Sequence, residues 1–338
     1  MYFITLKMQR VDNRPYTRVY TDGGTQAIFS TGATGGIYFH PNVLNRNVKC
    51  VEILVSRSIR TTCSAMAIGN GMAAIATNED RLYVYKQNPT GHFDFVKYFA
   101  VMPVAALCIV DKYLLLDQTI NGAVFCLEKN TTVATASFKG YLAHNSKQAL
   151  FGKGTEKLSM VACDAVTTVL KVSQPLVSAA FTNSLIAVAT ETFLFTYNAT
   201  SKTVLHRWLT SNVVDLAIVG HMLVAVRAVH VNVVARPTGT MFTELCDPAA
   251  PNVTGYDLTS GELLWQLPPD YKRIVRFVTD LGRGNMLAYN HSSAGFGHCA
   301  HFTTKNTLLY ELGPVIVAAR RLHRTLPLEL LENIAQFL

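Results

Sequence analysis

A unit of about 40 residues recurs along this chain, and it constrains the fold more than any other feature. Segments 66–76, 107–117, 179–189 and 216–226 align without gaps. Each opens on a short apolar stretch ending near Ile68, Ile109, Phe181 or Ile218. A three-residue turn, polar or containing glycine, leads to a second stretch that is almost wholly apolar. Continuous apolar runs of this length are the mark of strands buried on both faces. A third strand is expected at a similar offset, at residues 82–85, 124–127 and 194–197. A more polar, alternating strand closes the unit, most plainly within 254–267, where Thr259-Ser-Gly261 turns between two strands.

Anchored on the first strand, the units fall at Ile68, Ile109, Ala143, Phe181, Ile218 and Phe277, with an earlier one near Tyr20. The last interval is stretched by an insertion across 227–252. Seven units of four short strands, with no helical pattern before residue 314, predict a β-propeller. A sandwich would not need the same unit so many times. The leading stretch 2–8 has no unit of its own and is expected to complete the last blade, in preference to 17–21, which removes an open edge.

The unit resembles the WD40 repeat family. Tyr256-Asp257, followed by Thr259-Ser-Gly-Glu262, sits where that family carries its Trp-Asp dipeptide and turn. Tyr197-Asn198, Leu127-Glu128, Tyr85-Lys86 and Tyr310-Glu311 hold the same position in other units. No Trp-Asp pair occurs, and the family's Gly-His pair is not regular. The resemblance spans residues 1–313 and implies an all-β, seven-bladed WD40-like β-propeller, with a C-terminal helical tail over 314–338.

A hydrophobic share of 49% against 15% charged residues supplies a core and argues against disorder. No apolar run reaches the roughly 18 residues needed to cross a bilayer; the nearest, 98–116, is broken by Pro103, Asp111 and Lys112. The first residues lack the pattern of a secretory signal. Seven cysteines without a CxxC pair point to free thiols in a reducing compartment, so a cytoplasmic or nuclear protein is expected, not a secreted one. Net charge is +8, but the cations are scattered save for Arg320, Arg321, His323 and Arg324, and no nucleic-acid-binding motif accompanies them.

Candidates for chemistry are few. His298, Cys299 and His301, preceded by His291, are the densest ligand-type group. On a strand, residues three apart point to opposite faces, so these are weak metal candidates and are read as loop or edge residues. Residues 151–155, Phe-Gly-Lys-Gly-Thr, lack the spacing of a phosphate loop and read as an inter-strand turn. Nothing pairs Asp164, Asp215, Asp257 or Asp270; Asp257 is expected to cap its own turn. Cys50, Cys63, Cys108, Cys126 and Cys163 read as small core residues, and Trp208 and Trp265 as packing between blades. No catalytic residue and no cofactor is expected; the chain does not read as an enzyme.

The last thirteen residues, Leu-Pro-Leu-Glu-Leu-Leu-Glu-Asn-Ile-Ala-Gln-Phe-Leu338, read as a short amphipathic helix opened by Leu326-Pro327. Their pattern resembles the first helix of the F-box, the module that binds the Skp1 adaptor of cullin-RING ubiquitin ligases. Carried over, Leu326, Pro327, Leu330, Leu331, Ile334 and Phe337 become adaptor-facing. The match is shorter than a full F-box and lies at the C-terminus, as in viral ankyrin-type proteins. The layout is also similar to SOCS-box proteins, which recruit elongins, although their Leu-Cys-Arg stretch is missing. Both resemblances imply a substrate-recognition subunit with a Skp1-like or elongin-like partner. The alternative is a scaffolding propeller of a larger assembly or virus particle, its terminal helix packed on the propeller or on a neighbour.

Overall fold

The computed structural model describes residues 6–304, apart from 11–17, 23, 31–35, 44–49, 54–62, 119, 130, 137, 163–164, 183, 230, 236–240, 246–250, 268–276, 283–284 and 290–298. The whole tail, with Leu326, Pro327, Leu330, Leu331, Ile334 and Phe337, therefore lies outside the described residues. Among those described, seven four-stranded antiparallel sheets are formed.

The first strand of the chain, β1 (Leu6–Arg10), belongs to the last sheet. Sheet I is β2 (Arg18–Thr21), β3 (Ala27–Ser30), β4 (Ile37–His40) and β5 (Val51–Ile53). Sheet II is β6 (Cys63–Gly69), β7 (Met72–Thr77), β8 (Arg81–Gln87) and β9 (Phe93–Ala100). Sheet III is β10 (Val104–Val110), β11 (Tyr113–Gln118), β12 (Gly122–Cys126) and β13 (Thr131–Ala136). Sheet IV is β14 (Tyr141–His144), β15 (Ala149–Phe151), β16 (Lys157–Ala162) and β17 (Ala165–Lys171). Sheet V is β18 (Leu176–Phe181), β19 (Leu185–Thr190), β20 (Phe193–Asn198) and β21 (Thr203–Leu209). Sheet VI joins β22 (Val213–Val219) and β23 (Met222–Arg227) to β26 (Val253–Asp257) and β27 (Leu263–Leu267), with a separate hairpin, β24 (Val231–Ala235) and β25 (Met241–Leu245), interposed. Sheet VII is β28 (Phe277–Gly282), β29 (Asn285–Tyr289) and β30 (Cys299–Thr304), completed by β1.

First strands of successive sheets lie side by side, β2 against β6, β6 against β10, and so on to β22 against β28. Thr21 of β2 and Thr279 of β28 share a hydrogen bond at 3.2 Å and join the two ends of the series. The core therefore sits in the seams between sheets. In the seam of sheets II and III, Ala65, Ala67, Ala74 and Ala76 face Leu107, Ile109, Leu114, Leu116 and Phe125. Small side chains on one sheet admit large ones from the next, which is how such a seam reaches close packing. Gly122 shows the same economy: a Cβ there would lie 2.2 Å from the ring of Phe138, which occupies that space.

The first and second strands are joined by two-residue turns at 70–71, 111–112 and 220–221, one residue shorter than the repeat alignment predicts; in sheet V the strands end at Phe181 and resume at Leu185, the predicted separation. Asn70 and Gly71 both take positive φ (51° and 69°), the primed turn whose twist suits a tight hairpin. The fourth strand is bulged in five sheets, Val96, Val133, Val169, Leu205 and Leu264 each being an extra residue opposite the third strand, and in all but sheet IV the bulge falls at the same place, beside Tyr85, Phe125, Tyr197 or Tyr256. Bulges bend an outer strand away from flat pairing with another chain.

The expected closure is found with a small shift. The pairing strand is β1, Leu6↔Thr304 to Arg10↔Ala300, overlapping the 2–8 stretch and not 17–21. Removing residues 1–10 deletes these five pairs and reopens an edge. We expect such a truncation to melt about 5–10 °C below the full chain and to associate with rising concentration, checked by thermal unfolding and size-exclusion light scattering.

Candidate functional site

Each sheet meanders, so its 1–2 and 3–4 turns lie at one end. Its 2–3 turns and the connections to the next sheet lie at the other, here termed the connector end. The hairpin β24–β25 is inserted between the second and third strands of sheet VI, which puts it at the connector end. It forms a two-stranded sheet of its own. Met102, on the connection between sheets II and III, Leu209, the last residue of β21, and Ile120, on a 2–3 turn, are exposed at this same end; Leu209 is 83% exposed. Loops held by a rigid frame are where binding surfaces concentrate.

A cavity of about 730 Å³ runs between the first strands, walled by β2, β10, β14, β18, β22 and β28. Polar groups line it along its length, Asp117, Ser178 and Asp215 towards the connector end and His144 and Asn145 towards the other. Asp215 is the one charge in β22, Val-Val-Asp-Leu-Ala-Ile-Val. Its Oδ2 accepts from the Val278 amide of β28 at 2.8 Å, and its Oδ1 accepts from Ser178 Oγ of β18 at 3.3 Å. One carboxyl group thus ties three sheets. Burial pushes its pKa up to about 6, against the opposing pull of the Val278 and Leu216 amides and Ser178. Asp117, at the end of β11, accepts from the Tyr141 amide at 2.8 Å and joins sheets III and IV. Burial raises its pKa too.

On β14, Tyr141 OH and His144 Nδ1 lie 2.6 Å apart. His144 Nε2 is sealed from solvent and has no partner among the described residues. Although part of the residue's surface remains exposed, burial of the ring holds its pKa down to about 4. The imidazole is therefore neutral at physiological pH. Asp117, Asp215, Tyr141 and His144 were not identified as a group from sequence. The legible signal was an acid interrupting an otherwise apolar strand, in Leu-Leu-Leu-Asp117 and Val-Val-Asp215.

The other sequence candidates fall as follows. Cys299 and His301 lie on β30, paired with Tyr289 and Leu287, while His298 lies outside the described residues. Among the described residues, no three His, Cys, Asp or Glu side chains are grouped to hold a metal ion. The 151–155 segment is a turn whose amides are already used: Gly152 and Lys153 donate to Gly140 O, Gly154 to Leu176 O, and Thr155 to Gly152 O. No anion cradle is left. Asp257 caps its turn, accepting from the Thr259 and Ser260 amides at 2.7 and 2.8 Å. Trp208 spans a seam, donating to Gly261 O at 2.8 Å and packing on Tyr256; Trp265 packs in the seam of sheets VI and VII. Cys108 and Cys126 are buried, while Cys50 and Cys63 are half-buried, Cys63 packing against a core cluster. Asp164, Asp270 and Cys163 lie outside the described residues.

His144 has a testable signature. Its depressed pKa means that the neutral form stabilises the fold fully above pH 6.5, and that this stability is lost as pH falls towards 4. The stability difference between the wild type and His144→Asn is expected to shrink by up to about 3 kcal/mol between pH 7 and 4, read from urea unfolding.

No protein-family model matches the chain, and no curated protein matches it. Among solved structures it is similar to the crystal structure of BamB from Moraxella catarrhalis, with a TM-score of 0.56. That likeness covers 88% of this chain and 100% of the other, at 10% sequence identity. Identity that low carries the fold alone, and the fold is an all-β propeller of repeated four-stranded antiparallel sheets.

Proposed function

We propose that the chain is a non-enzymatic protein-interaction propeller of the cytoplasm or nucleus, acting as the substrate-recognition subunit of a cullin-RING ubiquitin ligase. The carrying observation is the connector end. There the inserted β24–β25 hairpin and the exposed Met102, Ile120 and Leu209 share one end of the sheets. This end takes the target. The segment 326–338 takes a Skp1-like or elongin-like adaptor as an apolar helix in a groove, through Leu326, Pro327, Leu330, Leu331, Ile334 and Phe337. Its support is the sequence pattern of those positions.

Two co-purifications test the two halves separately. Leu331→Asp is expected to abolish capture of Skp1-like and elongin-like adaptors while leaving the melting temperature unchanged. Adaptor capture undiminished by that substitution, or absent from the wild type, would end the adaptor reading. A variant with residues 229–250 replaced by a short Gly-Ser linker is expected to keep the adaptor and lose the target proteins retained by the wild type.

A further inference from the structure

The wall of the cavity contains a carboxyl group in an unusual position. Asp215 is bonded to β18 on one side and to β28 on the other, so the seam between sheets V and VI and the seam between VI and VII share it. The strands packed against β22 are β18, β19, β23 and β28. β18 and β19 bring no titratable group; β23 brings Arg227, whose Nη2 donates to Tyr256 OH at 3.3 Å; β28 brings Asp280. Across the cavity stand Asp117, Lys153, Tyr141, His144 and Tyr20. Lys153 acts on Asp215 only as the weakest of its influences. As an anion, Asp215 is thus held by two amides and a hydroxyl, with no cation in contact among the described residues.

We propose that Asp215 is a proton-operated clasp on the cavity: protonated, it holds sheets V, VI and VII together, and ionised, it favours opening of the VI–VII seam so that water reaches the carboxylate. A neutral carboxyl group satisfies both neighbours, donating to Ser178 Oγ while accepting from the Val278 amide. An anion keeps those two bonds but gives up its hydration, which a buried site repays poorly. The raised pKa gives the sign: this contribution to stability is whole below the ordinary carboxylate pKa and is lost as pH rises through about 6. His144, in the same wall, titrates with the opposite sign, so the two groups mask one another in global stability. A local measurement is required. The clasp does not depend on the adaptor reading.

Hydrogen exchange of a peptide covering residues 277–282, corrected for intrinsic rate, reports the seam. In the wild type its exchange is expected to rise several-fold between pH 5 and 7.5, and by no more than about tenfold, the part of the roughly 100-fold span of a two-unit pKa difference that lies above pH 5. Asp215→Asn, which keeps an acceptor but cannot ionise, is expected to flatten the response. Ser178→Ala removes a bond that favours the anion, so the midpoint is expected to move to higher pH. A flat wild type, or a response unchanged in Asp215→Asn, overturns the clasp. Should Asp215→Asn fail to fold, a midpoint unmoved in Ser178→Ala overturns it equally.

Discussion

Burial between neighbouring sheets is the interaction on which everything else in this molecule rests. Each sheet is apolar on both faces of its inner strands, so no sheet can be satisfied by one partner. A row of such sheets always leaves two bare faces, and only a closed ring leaves none. That requirement explains why the first stretch of the chain is spent on the last sheet, with β1 on β30, and why Thr21 and Thr279 meet across the ends of the sequence. It also explains the composition of the seams, where alanines on one sheet receive leucines and phenylalanines from the next.

A ring of four-stranded sheets solves the problem of the faces and creates one of edges. Every sheet ends outward in a fourth strand whose free backbone groups could pair with another chain. The bulges at Val96, Val133, Leu205 and Leu264 recur at one register, and that at Val169 nearby, where regular pairing would otherwise present a flat edge. The first strands carry their own recurring irregularity at Ser64, Ala105, Leu142, Val177 and Val214. Four of those five, Ala105, Leu142, Val177 and Val214, line the cavity, and Asp215 directly follows the last.

The repeat was legible because burial on both faces writes itself into a sequence as unbroken apolar runs. Ile68, Ile109, Ala143, Phe181 and Ile218 all fall on first strands, and Phe277 begins one. The interruption after Arg227 was legible for the same reason, as a failure of the expected spacing. Turn length was not, since one residue more or less in a hairpin hardly disturbs the apolar pattern. The cavity groups were also hidden. Asp215, Ser178 and Val278 are brought together by the angle between three sheets, and nothing in local periodicity encodes that angle. Cys63, at the start of β6, packs against the core of sheets I and II as its apolar run implies, but is only half-buried.

The β24–β25 hairpin has a consequence for recognition that none of the repeated sheets can supply. Near-identical sheets around an axis give a partner no azimuthal reference: rotated by one sheet, a ligand would meet much the same frame. A single outgrowth on sheet VI abolishes that degeneracy. It works as an index mark, fixing the compass bearing at which anything bound over the cavity must sit, and so the direction in which its remaining surface faces.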